Sequence, residues 1–212
     1  MTRTLGVLIS GRGSNLQAII NAVGDGRLRA RIAVVISNRA GAQGLQRAEA
    51  AGIEAICMPH RDYPSREDYD RALVSQLRAR RVDLVCLAGF MRLLSPIFVD
   101  AFPNAILNIH PSLLPSFPGI EPQRQALEHG VKVSGVTVHI VDCNLDAGPI
   151  VVQRAVEVRD DDCVDTLAAR ILAVEHQAYP EAIRLLTERR WRVEGRRVLV
   201  EEPNTGPGRQ TE

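Results

Sequence analysis

Residues 105–115 read Ala105-Ile-Leu-Asn-Ile-His-Pro-Ser-Leu-Leu-Pro115, and they are the most informative part of the chain for its architecture. It begins as an apolar run, which predicts a strand buried in a parallel sheet. Pro111 cannot continue a central strand, so we expect the chain to leave the sheet there. Asn108 and His110 are two positions apart and therefore point to the same face where the strand ends. Ligands bind at this carboxyl edge in open α/β sheets.

A carboxamide beside an imidazole suits acyl or formyl transfer. The amide of Asn108 can hold a developing oxyanion, and His110 can hold or move a proton. Asp146, in a polar turn between two β runs, is the third candidate, and a carboxylate beside His110 would raise the imidazole pKa from about 6.5. Taken alone, these residues fit polar groups that close a strand and an aspartate that caps its own turn.

A second candidate site follows the first predicted strand, Thr4 to Ile9. Ser10-Gly-Arg-Gly-Ser-Asn15 and a helix come next, an order that can cradle a phosphate on backbone N–H groups. We expect Ser14 and Asn15 to cap that helix. The stretch lacks the dinucleotide fingerprint and the Lys-Ser/Thr of nucleotide hydrolases, so alone it favours a monophosphate only weakly over a tight turn.

The alternation of strands and helices predicts a single α/β Rossmann-like domain with a mostly parallel, doubly wound sheet. Val133 to Val141 alternates apolar and polar residues, which predicts a half-exposed antiparallel strand towards one edge. One helix is expected to end at His176 and a second segment to run from Pro180 to Arg189. Residues 1–190 would form this domain, and residues 191–212 a hairpin and a loose tail.

The chain has 212 residues and a net charge of +1, which gives no argument for nucleic acid or an anionic membrane as a partner. We find no run long enough to span a bilayer and expect no signal peptide at the N-terminus. The four cysteines form no Cys-x-x-Cys pair, and Cys57 and Cys86 are expected to be small core residues in a reducing cytoplasm. No pair of His or Cys residues has the spacing of a zinc site.

Five motifs, in order along nearly the whole chain, resemble the glycinamide ribonucleotide formyltransferase family. They are Ser10-Gly-x-Gly-Ser-Asn-Leu-Gln-Ala-Ile, Leu87-Ala-Gly-Phe-Met-Arg-x-Leu-Ser95, Leu107-Asn-Ile-His-Pro-Ser-Leu-Leu-Pro115, Leu145-Asp-x-Gly-Pro149, and Glu175-His176 with Tyr179-Pro180. The resemblance implies a cytoplasmic enzyme of purine synthesis that uses two small molecules. It would transfer the formyl group of 10-formyltetrahydrofolate to the amine of 5-phosphoribosylglycinamide, without a metal or a covalent enzyme intermediate. Whether the protein forms a homodimer is left open.

By position, the resemblance assigns the catalytic roles to Asn108, His110 and Asp146. The ribonucleotide-binding residues would be Gly13, Ser14, Asn15 and Glu175. The folate-binding residues would be Arg66, Met91, Arg92, Leu93 and Leu94, with Asn108. On its own, Glu175 would be an ordinary solvated helix residue, and we expect His139 to have a structural role.

The chain departs from the family pattern in two places. Arg12 stands between the loop glycines, and Ile120-Glu121-Pro122 lacks a histidine that is frequent there in the family. These departures affect the loops over the substrate and leave the catalytic residues intact.

Four other functions share features with this sequence. Formyltetrahydrofolate hydrolase has the same Asn, His and Asp with an extra N-terminal domain, which we do not expect because the first strand begins at Thr4. Methionyl-tRNA formyltransferase has a further RNA-binding domain, for which this chain is too short. A non-catalytic nucleotide-binding module is disfavoured by the intact catalytic residues. A nicotinamide oxidoreductase is disfavoured because Ser37-Asn-Arg39 follows the second strand, where a ribose-binding acid would stand.

Overall fold

A single nine-stranded sheet runs through residues 2–201, the part of the chain that the computed structural model describes. The strands are β1 (Arg3–Ile9), β2 (Ala30–Ser37), β3 (Ala55–Cys57), β4 (Leu84–Leu87), β5 (Ile106–His110), β6 (Val133–Ile140), β7 (Ile150–Glu157), β8 (Trp191–Glu194) and β9 (Arg197–Val200). They lie in the order β3-β2-β1-β4-β5-β6-β7-β9-β8.

The helices cover both faces of this sheet. They are α1 (Ser14–Gly24), α2 (Gln43–Ala50), α3 (Arg66–Ala79), α4 (Pro96–Ala101), α5 (Pro122–Glu128) and α6 (Val164–Glu188), with a 3₁₀ turn at His60–Asp62. Side chains from α1, α2, α5 and α6 join the core cluster on one face. Side chains from α3 and α4 join the cluster on the other. No helix among residues 2–201 is long and apolar enough to cross a membrane.

The strand order creates a switch point between β1 and β4. From β1 the chain proceeds outward through β2 and β3, and then returns to place β4 and β5 on the other side of β1. All five strands pair in parallel, whereas β5–β6 and β6–β7 pair antiparallel. This is the fold class that the sequence predicted. Loops that leave β1, β4 and β5 therefore meet at one edge, where such folds bind ligands.

Strand β6 is buried along its length except at Val133, so the prediction of a half-exposed strand was wrong. The alternation exists, but its polar residues face the loops at the carboxyl edge instead of solvent. Thr137 donates to the carbonyl of Ser112 at 2.7 Å and accepts from the amide of Leu114 at 2.9 Å. The next polar residue on that face, His139, lies beside Asn108.

Helix α6 is continuous, whereas two segments were predicted. Pro180 lies inside it and removes one backbone hydrogen bond. Its neighbours Tyr179, Ala182 and Ile183 are fully buried in the core, and this packing holds the helix together across the proline. Cys57 also differs from its prediction as a core residue, because it lies exposed at the end of the edge strand β3, whereas Cys86 is buried in β4.

The predicted C-terminal hairpin is present as β8 and β9, which pair antiparallel. It extends the same sheet through one parallel pair, Ile150 with Arg197. The predicted division of the chain after residue 190 stays a prediction, and the predicted loose tail lies outside the described residues from 202 onward.

Candidate active site

The carboxyl end of β5 brings together the three residues predicted to be catalytic. His110 Nδ1 lies 3.4 Å from Asp146 Oδ2, and both side chains are almost fully buried, with 6% and 9% of their surface exposed. The turn between β6 and β7 carries Asp146 in the left-handed region, with a φ of 47°. Asp146 Oδ2 also accepts a hydrogen bond of 2.9 Å from the amide of Gly119, which fixes the carboxylate over the strand end.

Both ring nitrogens of His110 face oxygen acceptors. Nε2 lies 2.8 Å from the carbonyl oxygen of Phe117, which can only accept, so Nε2 carries a proton. Nδ1 faces Asp146. Burial nevertheless lowers the pKa of His110 below 6.5, and this effect outweighs the opposite effects of the Phe117 hydrogen bond and the Asp146 charge. The expected effect of Asp146 is present, since its charge raises this pKa, but the desolvation of the buried ring is larger and the net shift is downward.

His139 also belongs to this cluster, although its sequence context predicted a structural role. Its Nε2 lies 3.2 Å from Asn108 Nδ2 and 3.7 Å from Asp146 Oδ1. Its Nδ1 lies 3.1 Å from the carbonyl oxygen of Ile140. A neutral ring with its proton on Nδ1 donates to that carbonyl and accepts from the Asn108 amide at Nε2. His139 therefore orients the Asn108 carboxamide. The signal in the sequence was its place among the polar residues of β6, two positions after Thr137.

The loop after β1, residues 10–13, is braced against α2. Gly13 has a φ of 70°, and a Cβ there would lie 2.7 Å from the Cα of Gly44. Only glycine combines this backbone conformation with so close an approach. Gly13 itself is the N-cap of α1, and no side chain caps the helix, so the prediction that Ser14 and Asn15 cap it was wrong. Both lie in the first turn, where backbone N–H groups lack partners within the helix and can receive an anion.

Asn15 and Glu175 meet behind this loop. Asn15 Nδ2 donates to Glu175 Oε2 at 2.6 Å, and both residues are buried. Glu175 is therefore not the solvated helix residue expected from its position alone. Burial raises its pKa, and the single hydrogen bond from Asn15 opposes this only in part. The oxygen of the same carboxamide, Asn15 Oδ1, is buried without a partner among the described residues and could accept from a ligand.

The loop after β4, residues 89–95, presents apolar side chains beside a partly buried cation. Met91 and Leu93 are 69% and 58% exposed, whereas Leu94 is half-buried. The guanidinium of Arg92 stands 5.3 Å above the ring of Tyr69. Its Nε is buried and has no hydrogen-bond partner in residues 2–201. An apolar wall with an unsatisfied cationic donor suits a flat ring system that carries a carboxylate.

Arg66, the remaining predicted binding residue, lies exposed at the start of α3. Its guanidinium is 3.3 Å from Glu67, and no hydrogen bond or ion pair within residues 2–201 joins it to the β4 loop. Of the residues that depart from the family pattern, Arg12, Ile120 and Glu121 are exposed, whereas Pro122 is buried at the start of α5. The carbonyl of Arg12 accepts from Arg47 Nε at 2.9 Å, and Glu121 forms an ion pair of 3.5 Å with Arg124.

Comparisons with known proteins agree with this arrangement. A family model described as formyl transferase matches residues 3–183. The crystal structure of glycinamide ribonucleotide transformylase 1 from Symbiobacterium toebii is 58% identical, with a TM-score of 0.93 over 95% of each chain. Phosphoribosylglycinamide formyltransferase of Escherichia coli (strain K12) is 47% identical over 177 residues, which is 84% of each chain.

A much longer relative is also similar. The trifunctional purine biosynthetic protein adenosine-3 of Drosophila melanogaster is 52% identical over 186 residues, or 87% of this chain. The chain spans only 14% of that protein's length. The similarity therefore concerns one part of that relative.

Proposed function

The chain belongs to the formyl transferase family, as its motifs indicated, and from this premise we propose that it transfers the formyl group of 10-formyltetrahydrofolate to the amine of 5-phosphoribosylglycinamide. The observation that carries the proposal is the meeting of Asn108, His110 and Asp146 at the carboxyl end of β5. These groups can stabilise an oxyanion and move a proton, and the folate supplies the formyl carbon.

Asn108 is the oxyanion donor in this proposal. As the substrate amine attacks the formyl carbon, negative charge develops on the formyl oxygen of the tetrahedral intermediate. The Asn108 carboxamide is oriented in advance by His139, so no reorganisation is needed at that moment. No side chain forms a covalent bond with the formyl group.

His110 moves the proton. Because burial lowers its pKa, the ring starts neutral at physiological pH with its proton on Nε2, and Nδ1 takes the proton that the attacking amine loses. Asp146 then stabilises the imidazolium at Nδ1. His110 returns the proton to the departing folate nitrogen, so the ring ends the cycle as it began.

The ribonucleotide is assigned to the β1 loop and α6. Gly13, Ser14 and Asn15 supply backbone N–H groups and polar side chains for the phosphate. Glu175 accepts hydrogen bonds from ribose hydroxyls, and its bond to Asn15 aligns the ribose site with the phosphate site. Holding both substrates at one edge of the sheet supplies much of the acceleration.

The folate is assigned to the β4 loop. Met91, Leu93 and Leu94, together with backbone groups, form the wall for the ring system. Arg92 is proposed to bind the glutamate carboxylates of the folate, and its unsatisfied Nε supports this role. Arg66 is proposed as a second cation for the same carboxylates. The reaction is proposed for the cytoplasm, in keeping with four free cysteines in the described residues.

An absorbance assay of folate product tests this function. Purified protein receives the 10-formyl folate with and without the ribonucleotide, and Asn108→Ala, His110→Ala and Asp146→Ala run in parallel. We expect product only with the ribonucleotide. Loss of Asn108 or His110 should lower kcat about 10²–10³-fold, because each acts on the reacting atoms.

Three other outcomes would contradict the proposal. Equal product without the amine would indicate a hydrolase. No product from a folded protein that binds both ligands would indicate a binding module. Full activity in the three variants would remove the catalytic roles assigned here.

A further inference from the structure

Ser10 is the first residue of the β1 loop and lies beside the strand that leads into the β4 loop. It directly follows β1, whose parallel neighbour on one side is β4, with Leu8 paired to Leu87. The β1 loop, residues 10–13, and the β4 loop, residues 89–95, therefore leave adjacent strands at the switch point. Any residue that binds both loops fixes the distance between the two substrate sites.

Ser10 makes such contacts through its backbone and its side chain. Its amide donates to the carbonyl of Gly89 at 3.0 Å. Its hydroxyl oxygen accepts from the amide of Met91 at 2.8 Å. Only 4% of the residue is exposed, so these bonds do not compete with bulk water.

The direction of the Ser10 hydroxyl is fixed by a second hydrogen bond, to Asn38. It donates to Asn38 Oδ1 at 2.6 Å, and Asn38 is 3% exposed at the end of β2. Asn38 Nδ2 in turn lies 3.3 Å from His60 Nδ1. Because the proton points to Asn38, a lone pair of the oxygen remains for the Met91 amide.

We propose that Ser10 is a positioning residue that couples the two substrate sites, so that ribonucleotide on the β1 loop tightens folate binding at the β4 loop. The inference rests on the proposed function. Its physical basis is an unbroken series of contacts from one loop to the other. Gly11, which follows Ser10 in the β1 loop, accepts from the amide of Gly44 at 3.1 Å, and the Ser10 hydroxyl binds Met91 of the β4 loop. A ligand that orders one loop therefore orders the other through a single buried side chain.

The β4 loop has a second anchor that provides a matched control. Asp70 of α3 accepts from the amide of Ser95 at 2.6 Å and is 1% exposed. This bond holds the far end of the loop and involves no residue of the β1 loop. Weakening it should loosen the folate site without changing how the ribonucleotide affects that site.

Binding in a complex that cannot react separates the coupling of the two sites from a simple loosening of the folate site. Tetrahydrofolate, which has no formyl group to transfer, is titrated calorimetrically into the protein with and without saturating 5-phosphoribosylglycinamide. In the wild type we expect the ribonucleotide to tighten tetrahydrofolate binding about tenfold. In Ser10→Ala the ratio of the two dissociation constants should fall to near one, because the Met91 amide loses its acceptor. In Asp70→Asn binding should weaken, but the ratio should stay at the wild-type value.

Two further variants guard against simple misfolding. Ser10→Thr retains the hydroxyl and should restore the ratio. Asn38→Ala leaves the hydroxyl but removes its fixed direction, so the ratio should be intermediate, and this variant decides the question if Ser10→Ala does not fold. A ratio of one in the wild type, or an unchanged ratio in Ser10→Ala, would overturn the coupling. The proposed function fails separately, if the wild type forms no product in the turnover assay.

Discussion

Asp146 and Glu175 are both buried acids of the site, yet their pKa values move in opposite directions. Burial alone would raise the pKa of Asp146, but the two neighbouring imidazole rings, His139 and His110, and the hydrogen bond from the Gly119 amide together hold it below the usual value. Glu175 has one hydrogen bond, from Asn15, and burial raises its pKa. Asp146 is therefore ionised at little cost, whereas the ionised form of Glu175 destabilises the fold.

Glu175→Gln should stabilise the protein and weaken its binding of the ribonucleotide. A carboxyl whose folded pKa is raised stabilises the fold below its ordinary pKa of 4.5, and this stability is lost as pH rises through the folded pKa. The neutral amide has no such loss, and its oxygen can still accept from Asn15. We therefore expect a melting temperature about 2–4 °C above wild type at pH 8, with a smaller difference at pH 4.

Thermal melts between pH 4 and pH 8 measure the first effect, and calorimetric titration with 5-phosphoribosylglycinamide measures the second. Affinity should fall about tenfold, because a charged acceptor for the ribose is lost. Glu128→Gln, an exposed glutamate of α5, is the control and should change neither quantity. A pH-independent difference in melting temperature would show that burial does not raise the pKa of Glu175.

At the scale of elements, α6 is joined to the sheet by a polar contact as well as by packing. Tyr179 is fully buried, and its hydroxyl lies 2.9 Å from the carbonyl of Leu87 and 3.0 Å from that of Leu107. One proton is shared between the last residue of β4 and the second residue of β5, the two strands that lead into the folate loop and the catalytic pair. The helix thus fixes the spacing of these two strands.

Tyr179→Phe should lower the free energy of unfolding by about 1–3 kcal/mol, because the two buried carbonyls lose a donor. Urea denaturation followed by circular dichroism measures the change. Tyr63→Phe serves as the control, since the Tyr63 hydroxyl makes no hydrogen bond within residues 2–201. Equal stabilities of the two variants would mean that the shared hydrogen bond contributes nothing to the fold.

The sequence predicted most elements because local patterns determine them. Gly52 closes α2 with a φ of 69°, and the Ser65 hydroxyl caps α3 by accepting from Asp68, both as expected from residue type. Sequence patterns failed where tertiary contacts decide. The burial of Glu175 depends on Asn15, a residue 160 positions away, and the orientation of His139 depends on which strand lies beside β6. Neither partner can be identified from spacing.

For the whole molecule, the parallel and antiparallel strands of the sheet position different parts of the proposed site. The loops after β1 and β4 in the parallel part carry the proposed binding residues, and the antiparallel β6–β7 turn brings Asp146 to His110. The β8–β9 hairpin lies beyond β7 at the far edge and touches none of these groups through a hydrogen bond.

A chain that ends at Arg190 should therefore fold and retain kcat and KM within about threefold of the full chain. Its melting temperature should be lower, because Trp191 no longer donates to the carbonyl of Leu186 and β7 loses its neighbour. Turnover assays and thermal melts of the two chains provide the comparison. A folded but inactive shorter chain would place the hairpin within the functional unit.

The bond between Asn15 and Glu175 has a consequence for how the protein is made. It joins residues 160 positions apart, one near the start of the chain and one in its last long helix. Asn108 and Asp146, by contrast, belong to one continuous stretch. During synthesis the catalytic cluster can form once β6 and β7 have emerged, but the ribose site has to wait for α6. Ribonucleotide binding therefore reports the completion of the fold. A nascent chain can assemble its catalytic residues before it can bind the ribonucleotide.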